Sequence, residues 1–332
     1  MLITLKQLEI KIAKKSLKLT PSLEKEYNLF VEKINQREAK AQKESSLEIT
    51  NREGGDATLV NQPLLSAIHL SNYLAVTAII KALVKKKSDL NKLKILGVGE
   101  GSGAFAYYLS SALQPQTYLA TDYQQGLVDY GQAVFGEGYL SFSPLDATKM
   151  AAIKNHSFDV IVASEFIEHI PTSNLVAFLK QSRRVLKKGG VLLATTPNKG
   201  CHPGKVYSGY PHHFTEFTAQ ELDDLIKTHL AQVFCQEAIF YLVNRKIGQE
   251  KRRRLPLELV VNRLFGLFLK LIPKESQREK VLDKLLTNLL KTMKKEVKRK
   301  KLTFPREYDQ TTLTSQPDNP QEAFGLCLVL QA

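Results

Sequence analysis

Between Leu93 and Leu109 an apolar run, Leu93 to Val98, breaks into glycines at 97, 99, 101 and 103 and then into helical spacing. A short apolar run stopped by glycines and followed by a 3.6-residue period predicts a buried parallel strand, a tight loop and a helix N-terminus. Glycine lets such a loop turn sharply and lets a ligand approach the backbone. The helix that follows presents unpaired N–H groups and a positive dipole end. The same grammar then repeats. Strands are predicted over 117–121, 138–142, 158–163, 191–196 and 233–243, with helices over 124–135 and 173–186. Lys187-Lys188-Gly189-Gly190 predicts a basic last turn closed by a C-cap glycine. Repeated units of this length build a parallel sheet with right-handed crossovers and helices on both faces. Ligands then bind at the carboxyl ends of the strands.

The glycine loop alone leaves its ligand open. Gly99-x-Gly101-x-x-Ala104, with Asp122 about twenty residues on, satisfies a loose dinucleotide fingerprint in which the acid would grip a ribose. Upstream, Thr20-Pro21 predicts a helix start, with an apolar stripe of Leu23, Tyr27, Phe30, Val31 and Ile34. Residues 38–56 read as a polar, flexible connection ending in Gly54-Gly55. A second helix is predicted over 64–84, packing on the following domain. The three cysteines, Cys201, Cys235 and Cys327, form neither a disulfide framework nor a paired zinc spacing, so a reducing cytoplasm is expected. Lysines interrupt residues 1–20, and neither a signal peptide nor a membrane span is predicted.

Further motifs follow in order: Phe158-Asp159-Val160-Ile161-Val162-Ala163-Ser164-Glu165-Phe166-Ile167-Glu168-His169, then Arg184 to Gly190, Thr196-Pro197-Asn198, and His212-His213-Phe214-Thr215-Glu216-Phe217-Thr218. Together with the glycine loop, Asp122 and Asp146, they resemble the class I S-adenosylmethionine (SAM)-dependent methyltransferases, particularly the ubiquinone-type O-methyltransferase branch. The resemblance covers residues 90 to 243 and resumes at Asp318-Asn319-Pro320 and 323–330. It implies an α/β fold: a Rossmann-like seven-stranded sheet, mostly parallel, with the last strand antiparallel. N-terminal helices (1–88) would precede a SAM-binding domain (89–244, completed by 304–332), interrupted by a basic helical insertion at 245–303.

By the same resemblance Gly97, Gly99, Gly101 and Gly103 would line the methionine part of SAM. Asp122 would accept both ribose hydroxyls, and it can also cap the next helix. Tyr123 would lie beside the adenine, Asp146 and Ala147 would meet the adenine amino group, and Ser164 would border the methyl-donor end. This family usually carries an acid two residues before the middle glycine, where this chain has Gly97. The nearest acid is Glu100, so either Glu100 or another group substitutes, or cofactor affinity is weakened. Methyl transfer to a hydroxyl needs a base with a pKa near working pH. His169 and His213 are the candidates, with Glu165 beside the donor end. No metal is expected, although Glu165-x-x-Glu168-His169 offers the donors a divalent cation would use.

The net charge of +14 is regional. Residues 245–301 hold 19 Lys+Arg against 6 Asp+Glu, a net of +13, and the remainder holds 28 against 27. Two helices are expected there, over 255–272 and 281–297. Apolar helices flanked by basic clusters suit a helical hairpin, or a peripheral contact with an anionic membrane. A nucleic-acid partner ranks lower, because the insertion has no Tyr or Trp for stacking. The expected function is a cytoplasmic, peripherally membrane-associated SAM methyltransferase acting at oxygen on a small molecule, a quinone-precursor, glycan or lipid-linked acceptor. The alternatives are an RNA or protein methyltransferase clamped by the insertion, and a SAM-binding protein without turnover.

Overall fold

The computed structural model describes residues 2–14, 17–19, 22–44, 63–202, 213–230, 232–254 and 301–332. The helices expected over 255–272 and 281–297, like His212, lie outside them. The described helices include α1 (Leu5–Lys14), α2 (Leu23–Glu44), α3 (Pro63–Leu83), α4 (Ala104–Leu113), α5 (Gln125–Phe135), α6 (Thr172–Val185) and α7 (Ala219–Leu230), and residues 245–254 are also helical. The strands are β1 (Leu17–Lys18), β2 (Lys94–Val98), β3 (Thr117–Asp122), β4 (Leu140–Pro144), β5 (Phe158–Ser164), β6 (Leu186–Pro197), β7 (Gln236–Val243), β8 (Thr312–Thr314) and β9 (Ala323–Gln331).

They form one sheet ordered β1-β8-β7-β9-β6-β5-β2-β3-β4. The β2–β3, β2–β5, β3–β4 and β5–β6 pairings are parallel, and β9 runs antiparallel between β6 and β7. The sheet therefore has nine strands rather than seven. The two additions are β8, which pairs with the outer edge of β7, and β1, which pairs with β8. At two and three residues they carry no periodicity to read, yet they cover an edge that would otherwise offer unpaired N–H and C=O groups.

Alternating side chains supply the two faces. Ile95, Val160, Val162, Val191 and Leu193 join one cluster, with α1 to α5. Leu96, Ile161, Ala163, Leu192 and Ala194 join the other, with α6 and α7. Helix α3 is apolar and long enough to cross a membrane by composition, but its residues are mostly buried within this fold. Two expectations are corrected. Helix α2 runs on through residues 38–44, because Glu38 is buried where it accepts the Tyr130 hydroxyl at 2.6 Å, and Ala41 is buried with it. Lys187 to Gly190 is no helix cap. α6 ends at Val185 and β6 begins at Leu186, whose pairing with Phe158 draws the chain into the sheet. Gly189 donates its N–H to the Ala332 carbonyl at 2.9 Å.

The strand order reverses between β2 and β5: β3 and β4 extend to one side, β6 to the other. The carboxyl ends of these two strands open a crevice, the expected place for a ligand.

Candidate functional site

The loop after β2 is pinned from the neighbouring strand. Asp122 Oδ2 accepts the Gly101 N–H at 3.1 Å, and its Oδ1 accepts the Gln124 N–H at 3.0 Å. One carboxylate thus fixes the loop and turns the chain into α5. Each oxygen keeps a lone pair for another donor. A Cβ on Gly101 would meet nothing within 4 Å, and its φ of +55° suits only glycine without strain. Here the backbone lies open to the crevice.

Gly97 has a different reason to be glycine. A Cβ there would overlap the Glu100 carboxylate and come within 2.8 Å of Tyr118 Cε1. Glu100 folds back into that volume, where its Oε1 accepts the Tyr118 hydroxyl at 2.6 Å. Burial, and then the Glu100 charge, push the phenol of Tyr118 well above its usual range. An acid is therefore present beside position 97, supplied three residues later. Replacing Gly97 with Ala is expected to cost about 1–3 kcal/mol through overpacking. Chemical denaturation checks this, and the double change Gly97→Ala, Glu100→Ala should recover part of the loss.

A cavity opens between this loop, the end of β5 and α3. It is lined by Gly99, Glu100, Gly101, Ser102, Phe105, Ser164, Glu165 and His169, with His69 and Tyr73 from α3. Of the expected residues, Gly99, Gly101, Ser164, Glu165 and His169 meet there, and Asp122 stands directly behind Gly101. Gly97 and Gly103 face side chains instead, those of Glu100 and Phe142. Tyr123 presents an exposed ring past Asp122. Asp146 follows β4 and closes a turn, its Oδ1 accepting from the Thr148 N–H at 2.9 Å and hydroxyl at 2.6 Å. These bonds, with Lys149 at 2.9 Å, lower its pKa to about 2. Ala147 packs below it in the second core cluster.

Glu165 takes φ +51°, a left-handed backbone rare outside glycine and common at functional sites. Its N–H donates to the Thr195 carbonyl at 2.9 Å, while Ser164 Oγ and Thr195 Oγ1 lie 2.8 Å apart. Next along, Glu168 is fully buried and accepts the Thr196 hydroxyl at 2.9 Å. Burial raises the pKa of both acids, and for Glu168 the Glu165 charge raises it further. The segment 213–217 is laid against these strand ends by an Asn198–Phe217 bridge and by the Phe214 N–H on the Glu168 carbonyl at 2.7 Å. That brings the His213 ring edge-on to His169, 4.8 Å between centroids.

His213 is oriented in turn by Glu216, with Nδ1 and Oε1 2.8 Å apart and both groups largely buried. A proton on Nδ1 satisfies that carboxylate and leaves Nε2 as the acceptor. One ligand atom each from Glu168, His169 and His213 lies within 4.8 Å of the others, so this trio could hold a metal ion. Burial, with His169 and Lys251 adding to it, lowers His69 to about 4 and keeps its ring neutral at pH 7.

His69, Tyr73, Thr195 and Glu216 were not anticipated. A histidine between Ile68 and Leu70 in an otherwise apolar helix was the available signal for the first. Cys201 and His202 are both buried after β6, with Sγ and Nδ1 3.9 Å apart.

Residues 96–194 match the methyltransferase domain family. A ubiquinone biosynthesis O-methyltransferase of Rickettsia prowazekii is 28% identical over 132 residues, 40% of this chain and 51% of that protein. A demethylmenaquinone methyltransferase of Bacteroides fragilis is 33% identical over 113 residues, 32% of this chain and 45% of that protein. The chain spans about half the length of the curated relatives it matches. Among solved structures, a SAM-dependent methyltransferase of Thermotoga maritima superposes with a TM-score of 0.46 at 14% identity, covering 80% of this chain and 90% of that one.

Proposed function

We propose that this chain, whose residues 96–194 match the methyltransferase domain family, is a class I SAM-dependent methyltransferase that moves a methyl group from SAM to an oxygen of a small-molecule acceptor. The observation that carries this reading is the cavity itself. A glycine loop pinned by Asp122 faces Glu165 and His169 across one gap at the switch point of a parallel sheet. The residues suit the cofactor in chemistry and in space. Gly101 leaves its backbone uncovered, Asp122 retains lone pairs for a diol, and Tyr123 offers a free ring face for a base. Glu100 adds a buried carboxylate toward an ammonium group.

Bound SAM supplies a methyl on a sulfonium, which already contains its leaving group. The protein's share is to orient an acceptor, keep water out and take a proton. His169 lines the cavity and is the base in this reading, with the Glu216-oriented His213 ring packed against it. Glu165 borders the same space with its backbone held by Thr195. Quinone precursors are the favoured acceptor class, supported by relatives named as a ubiquinone biosynthesis O-methyltransferase and a demethylmenaquinone methyltransferase. The basic segment 245–303 would bring the protein to an anionic membrane carrying such lipid-linked acceptors.

The test is to incubate a cell extract with methyl-labelled SAM and the pure protein, then separate lipid, small-molecule, RNA and protein pools. Label is expected in the lipid or small-molecule pool. Label in RNA or protein would transfer the assignment to a macromolecular acceptor. Binding of the demethylated cofactor without any labelled product would leave a protein that binds but does not turn over.

A further inference from the structure

We infer that Lys251 recognises an ionised acid group, carboxylate or phosphate, on the methyl acceptor, at the rim of the cavity on the Glu165 side. This rests on the methyl-transfer reading above and adds a substrate class to it.

Residues 245–254 form a helix that starts the basic segment and is locked across the end of β9. Asn244 caps it, Oδ1 accepting the Ile247 N–H at 3.0 Å, and Asn244 Nδ2 ties it to Thr311 Oγ1 at 3.0 Å. Gly248 lets the helix touch the chain beneath: a Cβ there would stand 3.1 Å from Glu322 Cα. From this fixed helix Lys251 reaches back over the sheet edge, its Nζ donating to the Phe324 carbonyl at 3.2 Å. The same carbonyl accepts the Asn198 N–H at 3.2 Å, just past the end of β6. The ammonium therefore sits at the carboxyl edge where β6 and β9 meet, one strand from Glu165.

Its charge is felt at Glu165, His69, Cys201 and His202. Yet among the described residues no carboxylate lies within 4 Å of it, and one backbone carbonyl engages one of its three donors. A half-buried cation in that position attracts an anion more strongly than a solvated one would. The sheet order decides which ligand supplies the anion. The glycine loop and Asp122 belong to β2 and β3, whereas Lys251 stands beyond β5, at the β6–β9 junction. Two strand spacings separate β2 from β6, about 10 Å. That places the ammonium on the side away from the pinned loop, the side that the methyl-transfer reading leaves to the acceptor.

The carboxylate of the cofactor itself is the rival source, so the test has an arm for each. Calorimetry on the full chain would first titrate S-adenosylhomocysteine, then add phenyl phosphate or phenol to the saturated complex. Phenyl phosphate is expected to bind at least tenfold tighter than phenol. Lys251→Met should erase that preference and Lys251→Arg keep most of it. The change Arg253→Ala, Arg254→Ala, at two exposed positions of the same helix, should leave it intact. Equal binding of the two probes to wild type overturns the proposal, as does a preference that survives Lys251→Met but disappears with Arg253 and Arg254. If Lys251→Met instead weakens S-adenosylhomocysteine tenfold, the lysine holds the cofactor and the proposal fails. Wild type that gives no heat with S-adenosylhomocysteine sinks the methyl-transfer reading, and this inference with it.

Discussion

Asp122→Ala is expected to weaken S-adenosylhomocysteine binding by at least about 100-fold, to the point where calorimetry at tens of micromolar protein detects nothing. The carboxylate acts twice in this fold. Its two oxygens hold the Gly101 and Gln124 N–H groups at 3.1 and 3.0 Å, so its loss unpins the loop and frees the entrance of α5. Those two bonds stabilise the free protein as well as the complex. The affinity loss comes from the ribose contacts, where two hydrogen bonds to a charged carboxylate at about 1.5–3 kcal/mol each reach that hundredfold. Asp122→Asn separates the two duties. An amide keeps one acceptor oxygen for one of the two N–H groups and turns its NH2 toward the other. That NH2 meets the second N–H donor to donor, so the variant should keep more folding stability than Asp122→Ala but less than wild type, while still losing affinity. Binding of either variant within threefold of wild type would remove Asp122 from the cofactor's site.

That pairing shows which parts of the site were legible from sequence and why. The strand Leu93 to Val98, the glycine loop and Asp122 are encoded locally: an apolar run, its punctuation and an acid at the next strand's end. Once a parallel sheet is inferred, the carboxyl-edge placement of Glu165 and His169 follows, because topology brings strand ends together. The exchange at Gly97 was readable only as an alternative. Deciding it required the path of the Glu100 side chain back to Tyr118, a tertiary fact. His69 was hidden for a related reason. It lies on α3, some thirty residues before the loop it faces, within a helix whose composition speaks only of packing. Lys251 was visible merely as one charge among many, since what distinguishes it is the carbonyl of Phe324, seventy-three residues away. At Lys187 to Gly190 a local signal misled: β-pairing to the fifth strand outweighed a sequence that reads as a helix end.

His169→Ala is expected to leave S-adenosylhomocysteine binding within about twofold of wild type while lowering methyl transfer by 10²–10⁴-fold, the usual worth of a positioned base. Three features favour His169 over its neighbours. It lines the cavity, whereas His213 packs edge-on to it and is already engaged by Glu216 at 2.8 Å. Glu168 is fully buried, and burial together with the Glu165 charge holds it toward its protonated form. His69 lines the same cavity, but a pKa of about 4 makes it a weak proton acceptor at neutral pH. The retained S-adenosylhomocysteine binding separates this from simple loss of packing, which would weaken binding along with turnover. Glu216→Gln gives the intermediate case, because an amide can still face Nδ1 but cannot stabilise a charged ring. A smaller loss of methyl transfer is expected there. Chelation offers a separate discrimination. Transfer abolished by EDTA and restored by a divalent cation would mean that His169 acts as a ligand beside Glu168 and His213 rather than as the base. A His169→Ala enzyme that keeps more than a third of wild-type turnover would exclude both roles and leave orientation and desolvation to carry the reaction.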